Sequence, residues 1–216
     1  GFSTSVPANG AETIAVIPAA GNSIYDAAAN AAATSQSNNT VALNDLAVPI
    51  ISGTTVNSAN SEVTVTFAEN VYKATDGSGD LEVGDFALSI SGGVATPVSA
   101  TPTSIVKTSQ SVWVLGFSTS VPANGAETIT VAPVSNSIYD GSGNVAATSQ
   151  SNNTAVLNDK AVPIIISATS NFNNTEMTVT FAENVYDTNG GSGDLKVGDF
   201  ALSISGGVAT IVAATP

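Results

Sequence analysis

The chain has 216 residues, 43% of them apolar and 10% charged, and its 17 acids against four lysines and no arginine leave a net charge of −13. Phosphates and anionic membrane surfaces are held by Lys and Arg, so neither nucleic acid nor a membrane surface is expected as a partner. The absence of histidine and cysteine removes imidazole bases, thiolate nucleophiles, the usual zinc ligands and disulfides.

The elements can be read in chain order. Residues 1–14, GFSTSVPANGAETI, return unchanged at 116–129. Residues 27–33 are alanine-rich, but their counterpart GSGNVAA at 141–147 is a poor helix, so no helix is expected at either place. Asn44-Asp45-Leu46-Ala47-Val48-Pro49 reads as a domain junction, because a polar pair and a proline interrupt strand-like sequence. A first strand is expected over 48–57 and a hairpin turn at 58–61. Val63, Val65 and Phe67 then alternate with Thr64 and Thr66, the period of two of a half-buried strand. Leu88 and Ile90 alternate with Ser89 and Ser91 in the same way. Further strands are expected at 94–100 and 111–117, where Trp113 lies between Val112 and Val114. Ile129 and Val131 alternate with Thr128 and Thr130, and 153–158 closes the set. Turn signals such as Asp76-Gly77-Ser78-Gly79, Ser91-Gly92-Gly93 and Ala123-Asn124-Gly125 separate these runs.

The period decides the architecture. Residues 47–102 match 161–216 at an offset of 114, with 41 of 56 positions identical, and 23–50 answers 137–164. That period exceeds the ~20–50 residues of solenoid repeats and fits the ~100 residues of an immunoglobulin-type sandwich. The expected fold is all-β, a tandem array of antiparallel sandwiches with about seven strands each. Residues 1–46 form the second part of one repeat, 47–160 a complete repeat, and 161–216 the first part of the next.

VTVTFAENVY (63–72), DFALSISGG (85–93), ETITVAP (127–133), SIYDGSGN (137–144) and the NDxAVP junction together resemble bacterial immunoglobulin-like repeats. Such repeats occur in giant extracellular adhesins, including gliding-motility adhesins of Flavobacteria-like bacteria. The resemblance covers both copies and implies a structural stalk or filament at a bacterial cell surface. The junction also resembles the calcium-binding junctions of cadherin-like arrays. It departs from them at Leu46 and Lys160, where a further Asn or Asp is usual.

The chemistry worth testing is acidic. A hairpin about 58–61 sets Glu69 opposite Ile50, near Asp45, and the following loop with Asp76, Asp80 and Asp85 starts from that same end. Asp159, Glu183, Asp187, Asp194 and Asp199 form the set of the next copy. Calcium takes 6–8 oxygen ligands of this kind and is the candidate cofactor. The plain alternative is that these acids are solvated turn residues that keep the chain soluble.

Glycosidase chemistry needs paired carboxylates in a cleft, and acids in repeated loops of an array offer none, so no catalysis is expected. Tyr25, Tyr139 and Trp113 read as packing residues. Function is then structural, in an extracellular or secreted fibre whose partners are neighbouring repeats or copies. Two alternatives remain: an array of glycan- or surface-binding modules, and the spacer of a secreted carbohydrate-active enzyme. Residues 1–46 and 161–216 each correspond to part of a sandwich and lack the counterpart of Thr103 to Leu115. Either a longer array or head-to-tail pairing of copies is expected to complete them.

Overall fold

A computed structural model describes residues 1–216. The protein is all-β, with eleven strands and two single turns of 3-10 helix. It separates into two compact units, Gly1–Lys160 and Ala161–Pro216.

In the first unit β1 (Thr13–Ala15) and β2 (Thr40–Ala42) pair as a small antiparallel ladder. Seven further strands build the main core. They are β3 (Ile51–Val56), β4 (Glu62–Phe67), β5 (Phe86–Ser91), β6 (Ser104–Ser109), β7 (Val112–Gly116), β8 (Thr128–Pro133) and β9 (Thr154–Val156). One sheet has the order β3-β4-β7-β6 and the other β5-β8-β9, with every pair antiparallel. Lettered A to G along the chain, the sheets are ABED and CFG, the strand order of a constant-type immunoglobulin sandwich. The tryptophan lies on the fifth strand rather than the third, however, and there is no disulfide.

Alternation drives the packing. Val63, Val65 and Phe67 of one sheet meet Phe86, Leu88, Ile129 and Val131 of the other in one buried cluster, with Trp113 and Leu115 between them, while Ile90 is half-buried at its margin. The Phe67 and Phe86 rings stand 6.4 Å apart at 49°, a tilted arrangement favoured by the ring quadrupoles. Trp113 donates its indole N–H to Gln110 O at 3.3 Å, and Lys107 Nζ lies 5.7 Å from its ring centroid.

The strand expected over 94–100 is a loop. Val94 and Val98 are exposed, and Pro97 makes only an isolated bridge to Thr119, because proline offers the ladder no N–H. The strand that stands in its place is β6, Ser104–Ser109, an edge strand on which only Ile105 packs toward the core. Its weak alternation hides it in the sequence.

One glycine pair is structurally required. Gly92 and Gly93 have φ of 79° and 54°, and a Cβ on Gly93 would collide with the Glu127 carboxylate. That carboxylate is fully buried and accepts from the backbone N–H groups of Val94 (2.7 Å), Ala95 (2.9 Å) and Asn124 (2.9 Å). It fixes the loop between the two sheets.

The second unit holds β10 (Ile165–Ser170) and β11 (Met177–Phe181), which repeat the β3–β4 hairpin down to its irregularity. The bulge between Ile51 and Gly53 recurs between Ile165 and Ser167. The Phe181–Phe200 contact, at 6.5 Å and 50°, and the 3-10 turn Val197–Asp199 recur as well.

Candidate functional site

The acidic site forms where three chain segments meet at the end of β4. The β3–β4 ladder follows the expected register from Val56↔Val63 to Gly53↔Thr66, and the bulge then shifts it so that Ile51 faces Phe67. A bulge adds one residue to one strand only. Glu69 is thereby carried one position nearer the junction than a straight ladder would place it, and Ala68 N–H bonds to Ile50 O at 2.9 Å. Just beyond Glu69 in the chain, Tyr72 exchanges backbone hydrogen bonds of 2.7 and 2.8 Å with Tyr139. That bridge sets Asp140 beside Glu69.

One carboxylate oxygen from each of Asp45, Glu69 and Asp140 lies within 4.8 Å of the other two. Asp140 is fully buried and the other two are half-buried. Asp140 accepts from Ser142 N and Asn144 N at 2.8 Å and from Asn144 Nδ2 at 2.8 Å. Asn144 Nδ2 also donates to Asp45 O at 3.2 Å, and Ser142 Oγ stands 3.4 Å from Asp45 Oδ2. The SIYD turn therefore straps the junction while presenting its acid. Burial, then the charges of Asp140 and Asp45, push the Glu69 carboxyl above the usual glutamate range. A cation between these oxygens would relieve that repulsion.

The other acids named from sequence are placed elsewhere. Asp76 accepts from Ser78 N and Oγ within its own turn. Asp80 pairs with Lys107 at 2.5 Å. Asp85 accepts from Glu82 N at 2.7 Å and caps the 3-10 turn Val83–Asp85, and burial raises its carboxyl. In the second unit Asp199 caps the equivalent turn through Lys196 N at 2.7 Å, and Asp187 pairs with Lys196. Asp187 is the positional counterpart of Lys73 rather than of any acid in the first copy. Asp159 belongs to the first unit, and Glu183 and Asp194 to the second.

Sequence reasoning missed Asp140. Its signal was present in both copies, as the D-x-x-x-N spacing of Asp26/Asn30 and Asp140/Asn144. Asp26 accepts from Asn30 N and Nδ2 at 2.8 and 2.9 Å, and these bonds hold its carboxyl below the usual aspartate range.

No protein-family model and no curated protein matches the chain. Among solved structures it is similar to domains 1–6 of the surface layer protein SbsC, at 25% identity and a TM-score of 0.38, covering 66% of this chain and 19% of that one. It is also similar to the N-terminal part of the bacterial S-layer protein SbsC, at 21% identity and a TM-score of 0.37, covering 67% of this chain and 37% of that one. The chain thus spans well under two thirds of both.

Proposed function

We propose that this chain is a structural repeat region of an extracellular bacterial surface protein, in which complete sandwiches such as 47–160 follow one another through NDxAVP junctions to make a stalk or fibre. The observation that carries the reading is the way the copies differ. Lys73 pairs with Glu82 in one copy, and the counterpart positions hold Asp187 paired with Lys196. A recognition loop would keep the charges a ligand reads, whereas a spacer needs only the loop closed. Drift with compensation favours the spacer over an array of glycan-binding modules. Labelling intact cells that express the native protein, with an antibody raised against 47–160 and viewed by electron microscopy, tests it. Label along projections from the surface is expected. Label seen only after permeabilisation would remove the proposal.

A second part of the reading concerns the junction, where Asp45, Glu69 and Asp140 are proposed to hold calcium and stiffen the linker. The proximity of three carboxylate oxygens within 4.8 Å supports it. A ligand that binds only the folded state raises stability with its concentration. Melting should therefore shift upward with millimolar calcium, return with chelator, and lose this response in Glu69→Gln. A calcium-independent melting curve would remove the idea.

A further inference from the structure

The first and last strands of the complete repeat are tied together by side chains rather than by a backbone ladder. β3 is the edge of one sheet and β9 the edge of the other. Ile51 N–H donates to Gln150 Oε1 at 2.8 Å, and Gln150 Nε2 stands 3.5 Å from Pro49 O. Further along, Thr54 Oγ1 donates to Asn152 O at 2.9 Å. At the far end Asn60 Nδ2 donates to Asn158 O at 2.7 Å, and Asn158 N–H returns to Asn60 Oδ1 at 2.9 Å. Asn158 Nδ2 donates to Asn57 O and to Asn60 Oδ1, both at 3.0 Å.

All along this seam the partners are 98 to 101 residues apart in the chain. In an antiparallel pair that separation would shrink steadily, so the two segments run parallel. The chain therefore enters the sandwich beside one end of the seam, at Pro49, and leaves it at the other, at Asn158. Tension between entry and exit slides the two strands past each other and stretches every bond of the seam at once. Tension applied at a single end would open the bonds one after another.

Asn60 is chosen for more than its turn. Glycine adopts its φ of 55° without strain, yet the position holds an asparagine, buried, whose side chain bonds to Asn158. Seven of the twelve positions 51–62 differ from 165–176, and Asn60 is nevertheless answered by Asn174, at φ 56°.

We propose that this seam is a mechanical clamp, in which Asn60, Asn158 and Gln150 hold the first and last strands against tension along the chain. The proposal rests on the stalk reading above for the source of the tension, while the clamp itself is a property of the sandwich.

The absence of native cysteine allows pulling handles to be attached at chosen positions of the full chain. Leu46, Ser58 and Val162 are exposed. Handles on Leu46→Cys and Val162→Cys pull the complete repeat by its entry and exit; handles on Ser58→Cys and Val162→Cys pull it from one end. In optical tweezers, with chelator present, the first pair should unfold the repeat at clearly higher force than the second. Asn60→Gly, which keeps the turn, should speed unfolding at constant force along the first direction by roughly tenfold, since it strips Asn158 of its partners. Gln150→Ala, at the other end of the seam, should act in the same sense without touching the turn, and both variants should narrow the gap between the two directions. Equal forces in the two directions, or a gap that both variants leave unchanged, would overturn the clamp. A protein found only inside cells would remove the stalk and leave this directional strength standing.

Discussion

Lys196 closes onto Asp187 across the same loop that Lys73 and Glu82 close one repeat earlier, with the charges exchanged. The geometry of the loop is thus kept while the sign at each position is free. Lys73→Asp alone should lower the melting temperature of the complete repeat, and adding Glu82→Lys should restore it. Exposed pairs are screened by salt, so at about 1 M salt the single and double variants should converge. A double variant no better than the single at low salt would show that the exchange is unrelated drift.

Trp113 fills the space between the sheets and is 1% exposed. Trp113→Ala should cost about 3–5 kcal/mol, from lost burial plus the cavity left behind, read by chemical denaturation followed by circular dichroism. Trp113→Phe should cost less. A loss under about 1 kcal/mol for alanine would mean that the core closes without this residue.

Glu127 and Glu12 occupy the same place in identical 14-residue segments, yet only Glu127 is buried on three backbone donors. Glu127→Ala should therefore be strongly destabilising, about 1–3 kcal/mol for each donor left buried and unpaired, whereas Glu12→Ala should leave the complete repeat unchanged. Burial works to raise the Glu127 carboxyl, but the N–H groups of Ala95, Val94, Glu127 and Asn124 outweigh it and hold it below the usual glutamate range. A depressed folded value means that this stability is present above the unfolded value and is lost as pH falls through the folded one. Urea midpoints of the native chain should drop across that acid window, and Glu127→Gln should flatten the drop.

Glu69 has the opposite sign. Its carboxyl is raised by burial and by the neighbouring Asp140 and Asp45, so without calcium stability should fall as pH rises from the ordinary glutamate value through the raised one. Glu69→Gln should flatten this slope and raise stability at neutral pH in chelator. A destabilised Glu69→Gln under those conditions would show that the charge is satisfied by groups other than a cation.

Much of the sandwich was legible in the chain, for particular reasons. The Thr-spaced Val63, Val65 and Phe67 and the Ser-spaced Leu88 have few ways to bury one face except as strands. The 58–61 hairpin was equally plain, since Asn60 takes the positive φ its turn requires. The site was only half legible. Asp45 and Glu69 follow from that hairpin, but the bulge at Ser52 that brings Glu69 closer has no local marker. Asp140 arrives through the Tyr72–Tyr139 bridge, a contact between residues far apart in the chain.

Sequence alone determined the repeat, the all-β alternation, the acidic balance and the oxygen-only chemistry, because these depend on which residues are present and at what spacing. It did not determine which copy of a repeated segment is held as a strand. FALSIS at 86–91 is β5, and the same six residues at 200–205 form no strand. GFSTSVPANGAETI buries its phenylalanine and glutamate at 117 and 127 and exposes them at 2 and 12. The difference is the partner: a strand is held by a ladder and a face buried against another sheet, and β8 supplies both to 86–91 alone. Identical side chains thus have different structures wherever the tertiary fold brings them different neighbours.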